Sequence, residues 1–437
     1  MTLDERARAI LAANDRSGYT VPTARLYPFQ WNWDSALTAL GFLRHDPTRA
    51  WREVETLIEG QWDDGMIPHI VFRRPDPDYF PGPEAWGTAG RHPEGVPTSG
   101  ISQPPVLASV VRRLHAATGE DARARTLAEA CARWHAWWLA QRTHGFGQGR
   151  TVVVVHPWES GRDNCPDWDA ALDRIAVDPD LRPYTRRDTS HIDADQRPRQ
   201  AQYDRYMSIV KRGSDMGWAA DAFADGPFRM ADPGCHFILM AAERDLLALV
   251  GALGLDGAEA IEDRITALEA GAAALWDESV GAWVACDALT GERSGAASSA
   301  SFLAWWAEAG TPEQRERALA TYDAMLAAAC YAVPSWDPRD GAHDAPRYWR
   351  GPVWPPVNFL LSEGLRGAGH EGEAARIRDD TRALIEREGF MEYFHPHDGT
   401  GLGGADFSWP AALWLAWCGP NAESLNARSP NAKGSNA

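Results

Sequence analysis

Two acidic stretches, far apart in the chain, each set one carboxylate among aromatic and small residues. The first is His156-Pro-Trp-Glu-Ser-Gly-Arg-Asp163-Asn and the second is Phe390-Met-Glu392-Tyr-Phe-His-Pro. A carboxyl group enclosed by aromatic rings is driven toward its neutral form, while one in a polar setting stays ionised. Two such groups facing one sugar ring are the machinery that breaks a glycosidic bond. Asp163 is the expected acid, with Glu159 as its rival in the same stretch. Capping of a helix at 167–175 by Asp163 or Asp167 is the competing structural role. Glu392, flanked by Met391, Tyr393 and Phe394, is the expected second carboxylate, with a structural ion pair as its alternative.

What surrounds these carboxylates suits a sugar. The chain holds 21 Trp in 437 residues, many of them in Gly/Pro-punctuated segments. Tyr27-Pro-Phe-Gln-Trp31-Asn-Trp33-Asp34 puts four aromatic rings and one acid just before a helix pattern. Helix capping accounts for Asp34 but not for the rings. Aromatic faces match the C–H faces of a sugar, and a carboxylate accepts from its hydroxyls. In Tyr348-Trp349-Arg350-Gly351-Pro352-Val353-Trp354, Trp349 and Trp354 are candidate walls, and Gly351 would let backbone approach a ligand. Core packing is the alternative for that loop. Arg197 and Tyr203 offer a fork and a hydroxyl to a small acid group, although an Arg in so acidic a segment also serves as a surface ion-pair partner. Cys165, two residues beyond Asp163, is read as a small filler or as part of the site wall.

Other chemistries find little support. Net charge is −18, which argues against nucleic acid and anionic membranes as partners. The only lysines are Lys211 and Lys433, so a lysine-centred mechanism has almost nothing to use. Gly399-Thr-Gly-Leu-Gly-Gly404 matches GxGxxG, yet no hydrophobic strand precedes it and no βαβ unit surrounds it; a tight loop behind Glu392 is the better reading. His395 and His397 have no HExxH or Cys beside them, and no GxSxG occurs. No metal and no cofactor is expected. No apolar run of 18 residues and no signal-peptide pattern is seen, and six scattered cysteines favour reduced thiols, so the expected location is cytoplasmic. Association into homo-oligomers is left open.

The frame that must position these residues reads as helical. Apolar residues recur at helical spacing over 3–13, 34–43, 48–58, 104–118, 122–141, 233–252, 257–276, 297–308, 312–330, 351–366, 371–387 and 408–417. Thr151-Val-Val-Val-Val155 is the clearest strand. No fixed-period repeat is visible. Paired helices in this number fit an all-α barrel of six inner and six outer helices, a single domain over 1–418. Long loops at about 60–100 and 178–205, carrying Tyr79, Trp86 and Arg197, are expected to cap the site. The tail 419–437 has little to bury and is expected to be disordered.

With these residues in hand, the chain resembles glycoside hydrolase family 63, in particular its bacterial branch acting on mannosylglycerate and glucosylglycerate. The likeness runs from Asn14-Asp-Arg-Ser-Gly-Tyr19 to Phe407-Ser-Trp-Pro-Ala-Ala. It rests on Tyr27, Trp31, Trp33 and Asp34, on Trp158-Glu-Ser-Gly-Arg-Asp-Asn164, and on Tyr348, Trp349, Gly351 and Trp354. The resemblance implies an (α/α)6 barrel with a cap and hydrolysis with inversion, Asp163 being the general acid and Glu392 the general base. It also implies sugar or acid contacts by Tyr79 and Gln103, and glycerate contacts by Arg197 and Tyr203. The expected substrate is a small α-glycoside with an acidic aglycone, α-glucosylglycerate first and α-mannosylglycerate second. The family pattern has an amide near Phe407, where this chain has Asp406. A neutral-glycoside hydrolase of the same fold, an epimerase using His191, His236 or His395, and a non-catalytic sugar binder are the rival readings.

Overall fold

The computed structural model describes residues 1–422 except 25, 147–148, 220 and 225. Its frame consists of helices α1 Leu3–Asn14, α2 Asn32–Leu43, α3 Pro47–Ile58, α4 Leu107–Thr118, α5 Asp121–Gln141, α6 Gln200–Asp215, α7 Pro233–Leu253, α8 Ala258–Ala272, α9 Pro312–Leu326, α10 Pro355–Gly367, α11 Glu371–Glu388 and α12 Ser408–Leu413. Local chemistry starts many of them. In α1, the Thr2 hydroxyl accepts from Glu5 N while the Glu5 carboxylate accepts from Thr2 N. Asp46 and Asp232 cap α3 and α7, each followed by a proline, whose missing N–H costs nothing at a helix start. The periodicity over 351–366 becomes a helix only at Pro355, because the residue before a proline is pushed to extended backbone; Trp354 has φ −116° and ψ 112°.

The inner elements close into a ring. In order they are α2, α4, α7, the 3-10 segment Ser299–Ala304, α10 and α12, and α12 packs back onto α2. All twelve residues of α2 are buried, as expected of a helix that is apolar on every side. Around them, α3 covers α2, α5 covers α4, α8 covers α7, α11 covers α10 and α1 covers α12. Helix α9 reaches the 3-10 segment through the strand Ala282–Trp283. This is the (α/α)6 barrel. The expected helix over 297–308 is instead a 3-10 run followed by turns. Its i and i+3 side chains eclipse, and Phe302 and Trp305 stack at 5.8 Å.

Connection length decides where the site lies. Inner helices pass to outer ones through 44–46, 119–120, 254–257 and 368–370. The returns, 59–106, 142–232, 273–298 and 389–407, are long and all lie at the N-terminal end of the inner helices. Several carry short strands. β1 Gln30–Trp31 pairs with β2 Ile70–Val71; β3 Thr143–Phe146 pairs with β4 Gly149–Val154; β4 pairs with β5 Met230–Ala231, and β5 with β6 Cys286–Asp287. β7 Tyr393–Phe394 pairs with β8 Gly401–Leu402, setting Tyr393 against Leu402. The two expected cap loops meet: Phe80 stacks on Tyr184 at 4.5 Å, and Arg187 Nη1 donates to Asp76 Oδ2 at 2.9 Å. Their boundary differs from the expected 178–205, because α6 starts at Gln200 and carries Tyr203.

No described helix is long and apolar enough to cross a membrane. Of the expected tail, 419–422 fold back, with Asn421 Nδ2 donating to Asp4 Oδ2 at 2.9 Å; residues 423–437 lie outside the described residues.

Ring closure depends on one close backbone approach. A Cβ at Gly41 of α2 would stand 2.5 Å from Ala412 Cα of α12. Gly41→Ala is therefore expected to lower stability by about 1–3 kcal/mol through overpacking, read by denaturant unfolding. An unchanged midpoint would show that the α2–α12 seam can spread without cost.

Candidate active site

One cavity opens where the long loops converge. It is lined by Tyr27, Trp31, Trp33, Asp34, Tyr79, Gln103, Trp158, Asp163, Arg197, Tyr203, Tyr348, Trp349, Trp354 and Glu392. Every residue expected to act in catalysis or to bind substrate lines it except Gly351. A Cβ on Gly351 would meet Asp344 O and His343 Nε2 at 2.8 Å, so this glycine lets its loop pack on segment 343–345 and does not face a ligand.

The walls are aromatic and buttressed. Trp349 stacks on Trp354 at 3.8 Å with planes 5° apart, and Trp354 stacks in turn on Tyr393 at 4.4 Å. Trp354 Nε1 donates to Tyr348 O at 3.0 Å. Trp33 lies 6.2 Å from Trp349, and Tyr27 and Tyr79 each meet Trp31 edge-on. Gln103 Oε1 accepts from Trp33 N at 3.3 Å, which satisfies one of the open N–H groups in the first turn of α2. Asp34, in that same turn, is buried and borders the cavity. Burial first, then the charges of Glu392 and Asp163, push its pKa well up.

The two key carboxylates sit in contrasting surroundings. Glu392 is 1% exposed. Its Oε2 accepts from Arg197 Nη2 at 2.8 Å and from Gly404 N at 2.9 Å, while Oε1 accepts from the Tyr27 hydroxyl at 3.1 Å and from Arg197 Nη1 at 3.5 Å. The GxGxxG stretch is thus the loop behind Glu392. Gly403, at φ 71°, has room for no side chain, since a Cβ would lie 2.5 Å from Glu392 Oε2. Asp163 lacks a cationic partner of this kind. Burial raises its pKa to about 7, opposed by its own backbone N–H, the Arg197 charge and the Tyr348 hydroxyl, with the Glu392 charge adding a smaller push upward. A carboxyl group poised near neutrality can deliver a proton.

The loop bearing Asp163 is tied down from behind. Arg162, 3% exposed, donates to Asp232 Oδ1 at 2.6 Å, Asp167 Oδ2 at 3.1 Å and Ser298 Oγ at 3.3 Å. Cys165 belongs to this network, 3.0 Å from Arg162 Nη1, and is not a wall of the cavity. The rival acid Glu159 points the other way. It is fully buried, receives Arg142 Nε at 3.0 Å on both oxygens, and accepts from Ser102 N and Val155 N.

Arg197, expected near the aglycone, borders the cavity but spends both Nη groups on Glu392 and Tyr27. Tyr203 borders it too, with the Arg186 guanidinium 4.4 Å from its ring. Asp406 is exposed, pairs with Arg6 at 3.2 Å and does not reach the cavity. His236 and His395 lie outside the cavity, and the side chain of His191 is outside the described residues. Sequence reasoning missed His69, Arg187, Asp188, Phe407 and Trp409, all of which border the cavity. Trp409 had a signal in its spacing from Phe407; Arg187 and Asp188 had none in an Arg/Asp-rich loop. Burial, with the His156 charge adding, holds the His69 pKa well below its usual value, so it sits neutral with Nδ1 at 2.9 Å from Ser99 Oγ. Among the described residues no group of three metal-ligating side chains occurs.

Comparison with known proteins gives a consistent result. Residues 27–410 match the family described as the mannosylglycerate hydrolase MGH1-like glycoside hydrolase domain. The chain is 44% identical over 425 residues to mannosylglycerate hydrolase MGH1 of Selaginella moellendorffii, covering 94% of this chain and 85% of that protein. It is 33% identical to glucosylglycerate hydrolase of Mycolicibacterium hassiacum, covering 95% and 98% of the two chains. The crystal structure of the Thermus thermophilus GH63 mannosylglycerate hydrolase with Tris and D-glycerate superposes with a TM-score of 0.89 at 42% identity, covering 95% of this chain and 99% of that one.

The environment of Asp163 has a cost in stability. Its ordinary pKa is 3.8 and its folded value about 7. Between those values the unfolded chain releases a proton that the folded one keeps, so stability falls as pH rises from 4 to 7 and is level above. Asp163→Asn is expected to recover up to about 4 kcal/mol at pH 8 and almost nothing at pH 4, read as the difference in Tm from the parent protein. Equal effects at both pH values would mean the carboxyl is not held neutral.

Proposed function

Because the chain belongs to the mannosylglycerate hydrolase MGH1-like family of glycoside hydrolases, we propose that it cleaves an α-glycoside of glycerate to free sugar and glycerate. The observation that carries this reading is the contrast within one aromatic cavity, where Asp163 is poised near neutrality and Glu392 is paired with Arg197. Mannosylglycerate stands first and glucosylglycerate second, since the mannosylglycerate hydrolase is the more similar relative, 44% against 33%. This order reverses the one expected from sequence.

The mechanism is single displacement. Asp163, protonated, gives its proton to the glycosidic oxygen as the C1–O bond breaks. Glu392, ionised, takes a proton from the water whose oxygen bonds to C1 on the opposite face, so the configuration at C1 inverts. Trp31, Trp33 and Trp349, with Trp354 behind, hold the ring, and Asp34 accepts from its hydroxyls. Tyr79, Gln103 and Tyr203 face the leaving group from the cap side. Closure of that cap keeps bulk water from the reacting carbon.

Proton NMR of the protein with α-mannosylglycerate and α-glucosylglycerate in parallel tests the reading. The β-anomer of one sugar is expected to appear first. Early α-anomer would overturn inversion, and silence on both substrates would overturn the glycerate assignment. Activity is expected to fall as pH rises through about 7, where Asp163 loses its proton. Asp163→Asn and Glu392→Gln are each expected to lower kcat by about 100-fold or more.

A further inference from the structure

Glu392 has no acceptor position left for a water. A carboxylate offers about four lone-pair sites. Tyr27, Gly404 and the two Nη groups of Arg197 supply four donors, and the residue is 1% exposed. The attacking water must pass its proton to one of these oxygens, so one donor has to leave first. Gly404 is poorly placed to go: its N–H reaches Glu392 Oε2 while its carbonyl accepts from Glu392 N at 2.8 Å, a contact built into the loop. Tyr27 is wedged edge-on between Trp31 at 5.3 Å and Phe407 at 5.9 Å. Arg197 is the remaining candidate. It lies in the connection between the 3-10 turn Ala194–Gln196 and α6, borders the cavity, and its buried Nε meets no acceptor. Its guanidinium packs on the Tyr348 ring at 4.6 Å, and an anion in the cavity can draw it across that ring without moving the loop that carries the base.

We propose that Arg197 locks the general base in the ligand-free enzyme and that the acid group of the aglycone opens the lock. The substrate carboxylate engages the guanidinium, starting at Nε, and draws Nη2 away from Glu392 Oε2. The vacated lone pair then receives the water's proton as the water oxygen bonds to C1. The C1–O bond breaks toward the leaving oxygen, which takes the proton of Asp163. A neutral glycoside would meet the same aromatic walls and find the base engaged. Arg197 thereby becomes a specificity-determining residue, selecting for charge by gating chemistry as well as by binding. This inference rests on Glu392 being the base and on an acidic aglycone.

The test separates the sugar from the acid group. α-Mannosyl fluoride and α-glucosyl fluoride carry only the sugar, and D-glycerate added separately can fill the rest of the cavity. D-Glycerate is expected to speed fluoride hydrolysis by the wild-type enzyme about 10-fold, and glycerol is expected not to. Arg197→Met removes the guanidinium that the acid group would engage, and its fluoride rate should not respond to glycerate. A fluoride rate that glycerate leaves unchanged or lowers overturns the lock. Should Arg197→Met fail to fold, the wild-type response decides alone. Failure to cleave either glycosylglycerate removes the functional reading itself; cleavage of one without activation by glycerate removes only the lock.

Discussion

A carboxylate with 1% exposure cannot remain charged in a protein interior without a partner, and the arrangement around Glu392 follows from that constraint. Arg197 supplies the charge, Tyr27 and Gly404 the remaining donors. These groups come from separate places in the chain, so satisfying one acid draws several loops together. The same loops are cross-braced nearby. The Tyr393 hydroxyl donates to Gln196 O, Gly403 N to Gln196 Oε1, and Arg347 Nη1 to Arg197 O, each at 3.0 Å. Removing one partner of such a buried pair typically costs about 3–5 kcal/mol. The ion pair between Arg197 and Glu392 is therefore also what holds the cap segment against the barrel.

The barrel makes this convergence possible at little cost. Its short connections lie at one end, and the chain spends its length at the other, where the inner helices begin. Helix N-termini carry open N–H groups and partial positive charge, which suits an end crowded with carboxylates. Gln103 and Asp34 both sit at the start of α2, one accepting its first-turn Trp33 N–H and the other lying in the helix-end field. Asp232 shows a second use of the same terrain. It caps α7 and simultaneously holds Arg162, so the loop bearing Asp163 is anchored to an inner helix of the barrel.

Much of the frame was legible because its signals are local. The helices expected over 3–13 and 48–58 start on local caps at Thr2 and Asp46, whereas the prolines at 355–356 move the start expected at 351. Helix α6 was missed because polar residues dominate it, although Tyr203, Tyr206, Met207 and Val210 form its buried face. The 3-10 run at Ser299–Ala304 read as a helix because a repeat of three resembles one of 3.6 over so short a length. In the site, the aromatic motifs could be read from composition and spacing. The choice between Glu159 and Asp163 could not be made that way. Both lie in one short segment, and it is the 3-10 turn Pro157–Ser160, ending on Gly161 at φ 68°, that buries the first against Arg142 and presents the second to the cavity. The pairing of Arg197 with Glu392 spans 195 residues and has no local signature.

Two carboxylates in one cavity raise each other's cost of ionising, so only unequal surroundings let them hold different protonation states. If both faced the cavity with equal surroundings, they would share a proton and neither would be reliably acid or base. Here one guanidinium breaks the symmetry by sitting on Glu392. On Asp163 the Arg197 charge favours ionisation and the Glu392 charge opposes it less strongly, so it is burial that keeps the proton on. The two carboxyls differ because the burial of Glu392 is answered by a guanidinium on its oxygens, and that of Asp163 is not. Asp34 sharpens the division. It is a third carboxyl whose own ionisation is opposed by burial and by both neighbours, and it can face sugar hydroxyls without adding a full charge to the cavity.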